Sequence, residues 1–324
     1  MSKTALIADI GGTNARFGIV DERGTRDLIY LPCQDYTGPA EAAEDYFNRI
    51  GLKDKPEIGV IAVAGPVQGD LINFTNLQWS FRSSRLQKDL QLQSLAVMND
   101  FKAVALAVPG IDPQLVRKIG GGEALKDGAI GVIGPGTGLG VASLIWSGSH
   151  YIAQPGEGGH VTMPPVNERE YAIFQQLRVK YHHISAERVC SGKGLENLYN
   201  AIRVLDDKME SPDLDAPAIS ENAIKGKCEI CREALNLMLG FLGRISGNLA
   251  LTLGAQGGVY IAGGIPTKLG DYFEASAFLD EFQSKGRHKD LMKTIPVFMI
   301  NHDAIGLLGL EQHAQYLLGM SKGA

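Results

Sequence analysis

Cysteine is scarce in this chain of 324 residues, with four copies at Cys33, Cys190, Cys228 and Cys231. They are too few and too unevenly spaced for a disulfide framework, which excludes a stapled secreted scaffold and fits a reducing cytoplasm. A long apolar run is also missing. The richest stretch, Leu235–Ile265, is interrupted by Arg244, Asn248 and Gln256, so a spanning helix of ~20 apolar residues is not expected and the chain reads as soluble. Met1–Gly12 carries one lysine, Asp9 within its apolar part and no small-residue cleavage point, and does not read as a signal peptide. No charge of one sign dominates: 31 Lys+Arg against 36 Asp+Glu leave −5, scattered along the chain. Nucleic acid and anionic membranes are therefore poor partners. Two nucleotide signatures are absent as well, since no G-x-x-x-x-G-K-[ST] occurs and Gly134–Gly140 lacks the G-x-G-x-x-G spacing.

What is abundant is glycine, with 40 copies against an average near ~7%. They cluster, as expected where backbone approaches a ligand or turns sharply. The length allows two modest domains. Ala5–Ile10 and Ala15–Val20 read as strands around the turn Gly11-Gly12-Thr13-Asn14, followed by a strand near Asp27–Pro32, a helix over Pro39–Ile50 and an apolar strand at Ile58–Ala64. A helix opened by Ser83-Ser84 and a strand at Ser94–Met98 complete the order β-β-β-α-β-α-β. The pattern then restarts with strands at Ala129–Ile133, Val141–Trp146 and Tyr151–Gln154 around Gly134–Gly140. Aligning Thr13 with Thr137 gives an offset of 124 residues and suggests a diverged internal duplication. Helices follow near Glu168–Lys180, Gly194–Val204 and Cys228–Leu253, then strands at Gly258–Ala262 and Ile295–Ile300 and a final helix near Ala304–Leu318.

A strand that ends in Asp9 and enters Gly11–Asn14 places a carboxylate beside backbone N–H groups able to converge on a phosphate and its Mg²⁺. Gly134–Gly140 offers a second such cradle with the Thr137 hydroxyl. Either turn alone is most simply a tight hairpin; the two together point to a phosphate chain. Ala262-Gly263-Gly264, after an apolar strand and ahead of Pro266, could admit adenine or ribose, or be a plain strand-to-helix turn. Asn99-Asp100 falls at the carboxyl end of a strand, where α/β sheets bind ligands, although Asp100 could instead cap the next helix. In Pro155–His160, glycines flank Glu157 and His160 and leave both free for a small polar ligand. Ser185-Ala186-Glu187-Arg188 reads by itself as a solvated helix turn. Cys228 and Cys231 lack a second ligand pair at zinc spacing and read as structural thiols; His182-His183 reads as surface.

The set Asp9-Ile10-Gly11-Gly12-Thr13-Asn14-Ala15-Arg16, Ala64-Gly65-Pro66-Val67, Asn99-Asp100-Phe101, Gly134–Gly140, Glu157-Gly158-Gly159-His160, Ser185–Arg188, Ala262-Gly263-Gly264 and Ile305-Gly306-Leu307-Leu308-Gly309 closely resembles the bacterial glucokinases of the non-ROK type, over nearly the whole chain. The resemblance implies an α/β fold of two ribonuclease H-like domains, the actin-like ATPase fold, with ATP and sugar in the interdomain cleft. It implies a small domain over 1–110, joined by a C-terminal helix about 302–324, and a large domain over 111–301. By the same resemblance, Asp100 would be the base for the 6-hydroxyl of D-glucose, and Asn99, Glu157, His160 and Glu187 would hold the other hydroxyls. Ala8, Asp9, Ile10, Gly11, Gly12, Thr13, Asn14, Gly136, Thr137 and Gly138 would hold the phosphates, with Mg²⁺ at Asp9, and Gly263, Gly264 and Gly306 would lie near adenosine. A cytoplasmic homodimer is implied too. ROK relatives carry a Cys-rich zinc motif after Gly-Gly-His; here Val161-Thr162-Met163-Pro164-Pro165 follows, so no zinc is expected. A kinase of another hexose, or with another donor, fits the same residues. A sugar-sensing regulator would need a DNA-binding segment ahead of Asp9, and only three residues precede Thr4.

Overall fold

In the computed structural model, residues 3–74, 77–302 and 304–319 are described. The chain separates into two compact units. Unit 1 comprises Met1–Ile111, Ser149–Pro155 and Ala304–Ala324; unit 2 comprises Asp112–Gly148 and Gly156–Asp303. Asp303 and the last five residues of the expected C-terminal helix, 320–324, lie outside the described residues.

Unit 1 is built on β1 (Ala5–Ile10), β2 (Asn14–Asp21), β3 (Gly24–Pro32), β4 (Ile58–Val63) and β7 (Ser94–Asn99), with a small hairpin of β5 (Leu71–Asn73) and β6 (Ser80–Arg82) set apart. The sheet order is β3-β2-β1-β4-β7; the first three strands form an antiparallel meander, and β4 and β7 run parallel to β1. All six residues of β4 are buried, the unbroken apolar run expected of a parallel strand covered on both faces. The helix Pro39–Arg49 opens with proline in its first turn and buries Ala42, Ala43, Tyr46 and Phe47. Tyr46 stacks on Phe17 of β2 at 5.5 Å between ring centroids, a pairing worth ~0.5–1.5 kcal/mol beyond the buried area. The helix Ile305–Leu317 packs on the helix Asp100–Ala107 and against β1 and β4. A Cβ on Gly309 would fall 1.8 Å from the Ala103 carbonyl oxygen, so only glycine lets those two helices approach so closely.

Unit 2 repeats the plan. β8 (Val116–Gly120), β9 (Ile130–Pro135), β10 (Leu139–Trp146), β12 (Gly258–Ile261) and β13 (Val297–Ile300) run in the order β10-β9-β12-β13-β8, while β11 (Tyr151–Gly156) lies mostly in the Ser149–Pro155 segment of unit 1. β10 is antiparallel to β9, and β12 and β13 are parallel to it, as β2, β4 and β7 stand to β1. The duplication is therefore a structural one. β9 begins at 130 where β1 begins at 5, and β10 at 139 where β2 begins at 14, an offset of 125 rather than the 124 given by the threonines. Thr13 closes its turn, whereas Thr137 stands in the middle of the equivalent one.

The helix Glu229–Leu253 forms the axis of unit 2. Its N-cap is Cys228, whose sulfur accepts from the Cys231 N–H at 3.2 Å, and it ends at Gly254 in the left-handed conformation. It is the one helix expected over Cys228–Leu253, but, contrary to the expectation from its interrupted apolar run, it is long and apolar enough to cross a bilayer by length and composition. Its apolar surface is already used, since 72% of the most apolar window is buried within the protein. Arg244, midway along it, is buried and paired with both carboxylate oxygens of Glu170 at 2.9 and 3.0 Å, with Glu281 at 3.1 Å and with the Pro164 carbonyl at 3.3 Å. Removing one member of such a buried pair costs ~3–5 kcal/mol.

Candidate active site

In unit 1 the register of the parallel strands sets the chemistry. Ile10 lies opposite Val63, and Val63 opposite Asn99. The segments Gly11–Asn14, Ala64-Gly65 and Asn99-Asp100 thus leave the sheet at one level, the carboxyl edge where such sheets bind ligands. The first turn is closed by the Gly11 N–H donating to the Asn14 carbonyl at 3.0 Å and pinned by the Cys33 N–H on the Thr13 carbonyl at 2.8 Å. Gly12, Thr13 and Asn14 are exposed, whereas Ala8 and Ile10 are fully buried within β1. Asp9 is ion-paired with Arg16 at 2.8 Å, and Arg16 lies over the Tyr30 ring at 5.5 Å. Burial pushes the Asp9 carboxyl above its ordinary pKa despite that guanidinium.

At the same edge the structure assigns the helix cap to Asn99 rather than Asp100. The Asn99 Oδ1 accepts from the N–H groups of Phe101 and Lys102 at 2.8 and 3.2 Å, and its Nδ2 donates to the Gly65 carbonyl at 3.2 Å. Asp100 occupies the first helical position, its Oδ1 accepting from the Phe101 N–H at 2.9 Å. A cap that also ties down the neighbouring loop fixes where the Asp100 carboxylate points of departure lie, and such caps are worth ~1 kcal/mol. Gly306 stands in the first turn of the helix Ile305–Leu317, its Cβ position 3.9 Å from Val104.

In unit 2 the turn between β9 and β10 is closed by the Gly136 N–H on the Gly138 carbonyl at 2.8 Å, and the Gly136 carbonyl accepts from the Gly192 N–H at 2.9 Å. Ser185–Arg188 is not a solvated helix turn. Ser185 and Ala186 are buried, and the N–H groups of Ala186 and Glu187 donate to the carbonyls of Val161 and Gly159 at 2.9 and 2.8 Å. This brings the Glu187 carboxylate onto the phosphate-type turn, where its Oε2 accepts from the Leu139 N–H at 3.0 Å. A Cβ on Gly138 would stand 2.5 Å from that oxygen. Glu157 and His160 are exposed, with 3.8 Å between Oε2 and Nε2.

Gly263, with φ +91°, follows β12, and a Cβ there would stand 2.5 Å from the Pro135 carbonyl oxygen. The third glycine element is thereby seated on the Gly134–Gly140 turn. Beside both lies a cavity of about 570 Å³, lined by Gly136, Thr137 and Gly264 and, on its apolar side, by Pro217, Ile224 and Ile265. Sequence reading missed that apolar wall. It comes from the helix Ala216–Ile224, whose signal is Asp215 capping the Ala218 N–H with Pro217 in the first turn. A mostly apolar cavity beside a glycine turn whose backbone N–H groups could take phosphate suits a nucleoside with its phosphates. Among the described residues no group of three or more His, Cys, Asp or Glu is assembled that could hold a metal ion.

Two sheets of one plan, each opening on a glycine turn with a carboxylate beside it, define a phosphotransferase of the sugar-kinase class with the actin-like ATPase fold. A crystal structure of glucokinase from an Antarctic psychrotroph superposes with a TM-score of 0.86 at 32% identity, covering 98% of this chain and 100% of that one. The glucose complex of Balamuthia mandrillaris glucokinase shares the fold, with a TM-score of 0.80 at 22% identity over 97% and 93% of the two chains. The glucokinase of Photorhabdus laumondii is 43% identical over 324 residues, 99% of each chain. The family model described as Glucokinase matches residues 6–317. The chain belongs to the glucokinase family.

Proposed function

We propose that the chain transfers the terminal phosphoryl group of ATP to the 6-hydroxyl of D-glucose, giving glucose 6-phosphate. The observation that carries this reading is the common level at which the Asp9–Asn14 turn and Asn99-Asp100 leave the unit 1 sheet. Phosphoryl transfer asks for positioned phosphates, neutralised charge and a carboxylate at the attacking hydroxyl. Asp100 accepts the 6-hydroxyl proton, and Asn99 holds the helix turn that carries it while its remaining amide hydrogen serves a sugar hydroxyl. Glu157, His160 and Glu187 take the other hydroxyls. Gly11–Asn14 and Gly136–Gly138 hold the phosphates, and the cavity beside Gly264 takes adenosine, with Gly263 next to it; Gly306 is carried over with the family as an adenosine neighbour.

Asp9 is the residue that would hold Mg²⁺. A lone carboxylate fits that ion, which binds through one or two carboxylates together with substrate phosphates and water rather than in a cage. When bound, the ion neutralises charge developing on the transferred group. Arg16 then shares the Asp9 carboxylate and holds its orientation. A reducing cytoplasm suits the four free thiols, and a homodimer is carried over with the family.

Initial rates with ATP across four sugars test the reading. A site built to hydrogen-bond particular hydroxyls loses ~1–3 kcal/mol when one is inverted or missing. Glucose is expected to exceed mannose, fructose and galactose at least ~10-fold in kcat/KM. Equal values would make this a permissive hexokinase, and a fructose maximum would give it another substrate.

A further inference from the structure

Unit 1 holds a second cavity, about 170 Å³ in volume, that the proposed reaction does not use. Its polar lining is Lys102, His150, Tyr151, Gln312, His313 and Tyr316. The helix Asp100–Ala107 supplies the lysine, the segment Ser149–Pro155 one imidazole and one phenol, and the helix Ile305–Leu317 the rest. Among the described residues no carboxylate lines this cavity, and every polar side chain around it is able to donate a hydrogen bond. Tyr316 lies between the two imidazoles, its ring centroid 6.3 Å from that of His150 and 6.2 Å from that of His313. Burial, and after it the nearby Lys102 ammonium, holds His313 below its ordinary pKa. Gln312 lines the cavity with its stem, since its amide lies against Gly110 and its Oε1 is buried.

An occupant that satisfies this lining brings negative oxygens for Lys102 and the imidazoles. At ~30 Å³ per water molecule the volume takes only a handful of heavy atoms. We propose that this cavity is a binding site for a phosphate-type anion, either inorganic phosphate or the head of a small phosphomonoester with a free hydroxyl. The side chains that form it belong to three separated stretches of the chain, so an occupant ties the helix behind Asp100 to the C-terminal helix. Charge-assisted hydrogen bonds to phosphate are about twice as strong as neutral ones, and here they form in a concave, partly desolvated setting.

Calorimetric titration of the full chain with inorganic phosphate, glycerol phosphate and sulfate tests the proposal. An excess of a non-hydrolysable ATP analogue fills the nucleotide positions beforehand; its own titration is read separately, so a failure of the nucleotide reading is seen on its own. One saturable phosphate site per chain is expected, weakened at least ~10-fold by Lys102→Met and by His313→Gln. Lys118→Met, which removes a lysine of unit 2 paired with Glu123 at 2.7 Å, is expected to leave it unchanged. Sulfate, of the same size and charge, is expected to compete at the same site. Tighter binding of the ester supports an organic phosphate as the occupant, and tighter binding of the free ion supports phosphate itself. Thermal melting establishes that each variant is folded before it is titrated. Absence of saturable heat, wild-type affinity in both variants, or sulfate that does not compete would overturn the proposal.

Discussion

In the proposed reaction Glu187 serves a sugar hydroxyl, and its carboxylate also sits on the Gly136–Gly138 turn, so replacing it with alanine separates the two roles. The carboxylate accepts from the Leu139 N–H at 3.0 Å, and Leu139 is 5% exposed. Without that oxygen a buried N–H loses its partner, at a cost of ~1–3 kcal/mol. At ~1.4 kcal/mol per tenfold, the ordered turn becomes about 5 to 150 times less populated relative to its relaxed forms. Apparent affinity falls in proportion to the fraction that is competent to bind. Glu187→Ala is therefore expected to weaken binding of an ATP analogue more than about twofold with no sugar present, up to ~150-fold where the relaxed forms come to predominate, in addition to any loss of sugar affinity. Glu157→Ala is the control. That carboxylate is exposed and approaches only His160, at 3.8 Å, so its removal is expected to leave nucleotide affinity within about twofold, the usual effect of a surface change. Fluorescence titration with a labelled analogue reads both. If Glu187→Ala binds nucleotide like the wild type while sugar binding falls, the carboxylate serves the sugar alone and does not brace the turn.

Asp100→Asn keeps the hydrogen-bonding shape but cannot take up the 6-hydroxyl proton, so kcat is expected to fall at least ~100-fold while calorimetry still detects glucose; loss of sugar binding would make Asp100 a positioning residue. Gly263→Ala sets a Cβ 2.5 Å from the Pro135 carbonyl oxygen at φ +91°, whereas a Cβ on Gly264 meets nothing within 4 Å. The first is expected to lower the denaturant-unfolding free energy by ~1–3 kcal/mol and the second to leave it nearly unchanged, and equal losses would contradict this account of the seat on the turn. Serine at both Cys228 and Cys231 is expected to preserve activity, since serine also caps helices, with ~1–3 kcal/mol of stability lost at the buried Cys231. Stoichiometric zinc by elemental analysis of the wild type would count against a purely structural role. Burial pushes the Cys231 thiol up to about 12, so it is also expected to react with thiol reagents far more slowly than an exposed cysteine at neutral pH.

The strands of both sheets were legible because their apolar runs are long and bounded by glycine turns: Ala5–Ile10 was placed to the residue, and the parallel strand near Ile58 within one residue of its end. The edge strand Val116–Gly120 was not, because Arg117 and Lys118 interrupt it and none of its residues is fully buried. The helices Gly264–Leu269, Asp271–Glu274, Phe278–Gln283 and Lys289–Thr294 span too few turns to display a helical period. At the site, sequence pattern marked Asn99, Asp100 and the glycine turns. It could not say that Asn99 spends its carbonyl oxygen on the helix cap, or that Glu187 reaches the Leu139 N–H from 48 residues away. Both depend on where a side chain points after the chain has returned on itself. The apolar wall of the 570 Å³ cavity escaped for the same reason, since Pro217 and Ile224 look like any small amphipathic helix until the fold sets them beside Thr137.

The division of the chain has a consequence for its synthesis. Unit 1 takes its first residues from the start of the sequence and its last helix from Ile305–Leu317, with Ser149–Pro155 visited in between. Chains emerge from the ribosome at ~5–20 residues per second, and domains ordinarily fold as they appear. Here the unit that emerges first is the one completed last. Until Ile305–Leu317 has emerged, β1 and β4 lack the helix that later packs on them, and apolar surface remains uncovered. Contacts of such sequence separation are slow to form, so truncating the C-terminal helix is more damaging to the newborn chain than its short length suggests, and the waiting sheet is the surface on which a chaperone would act.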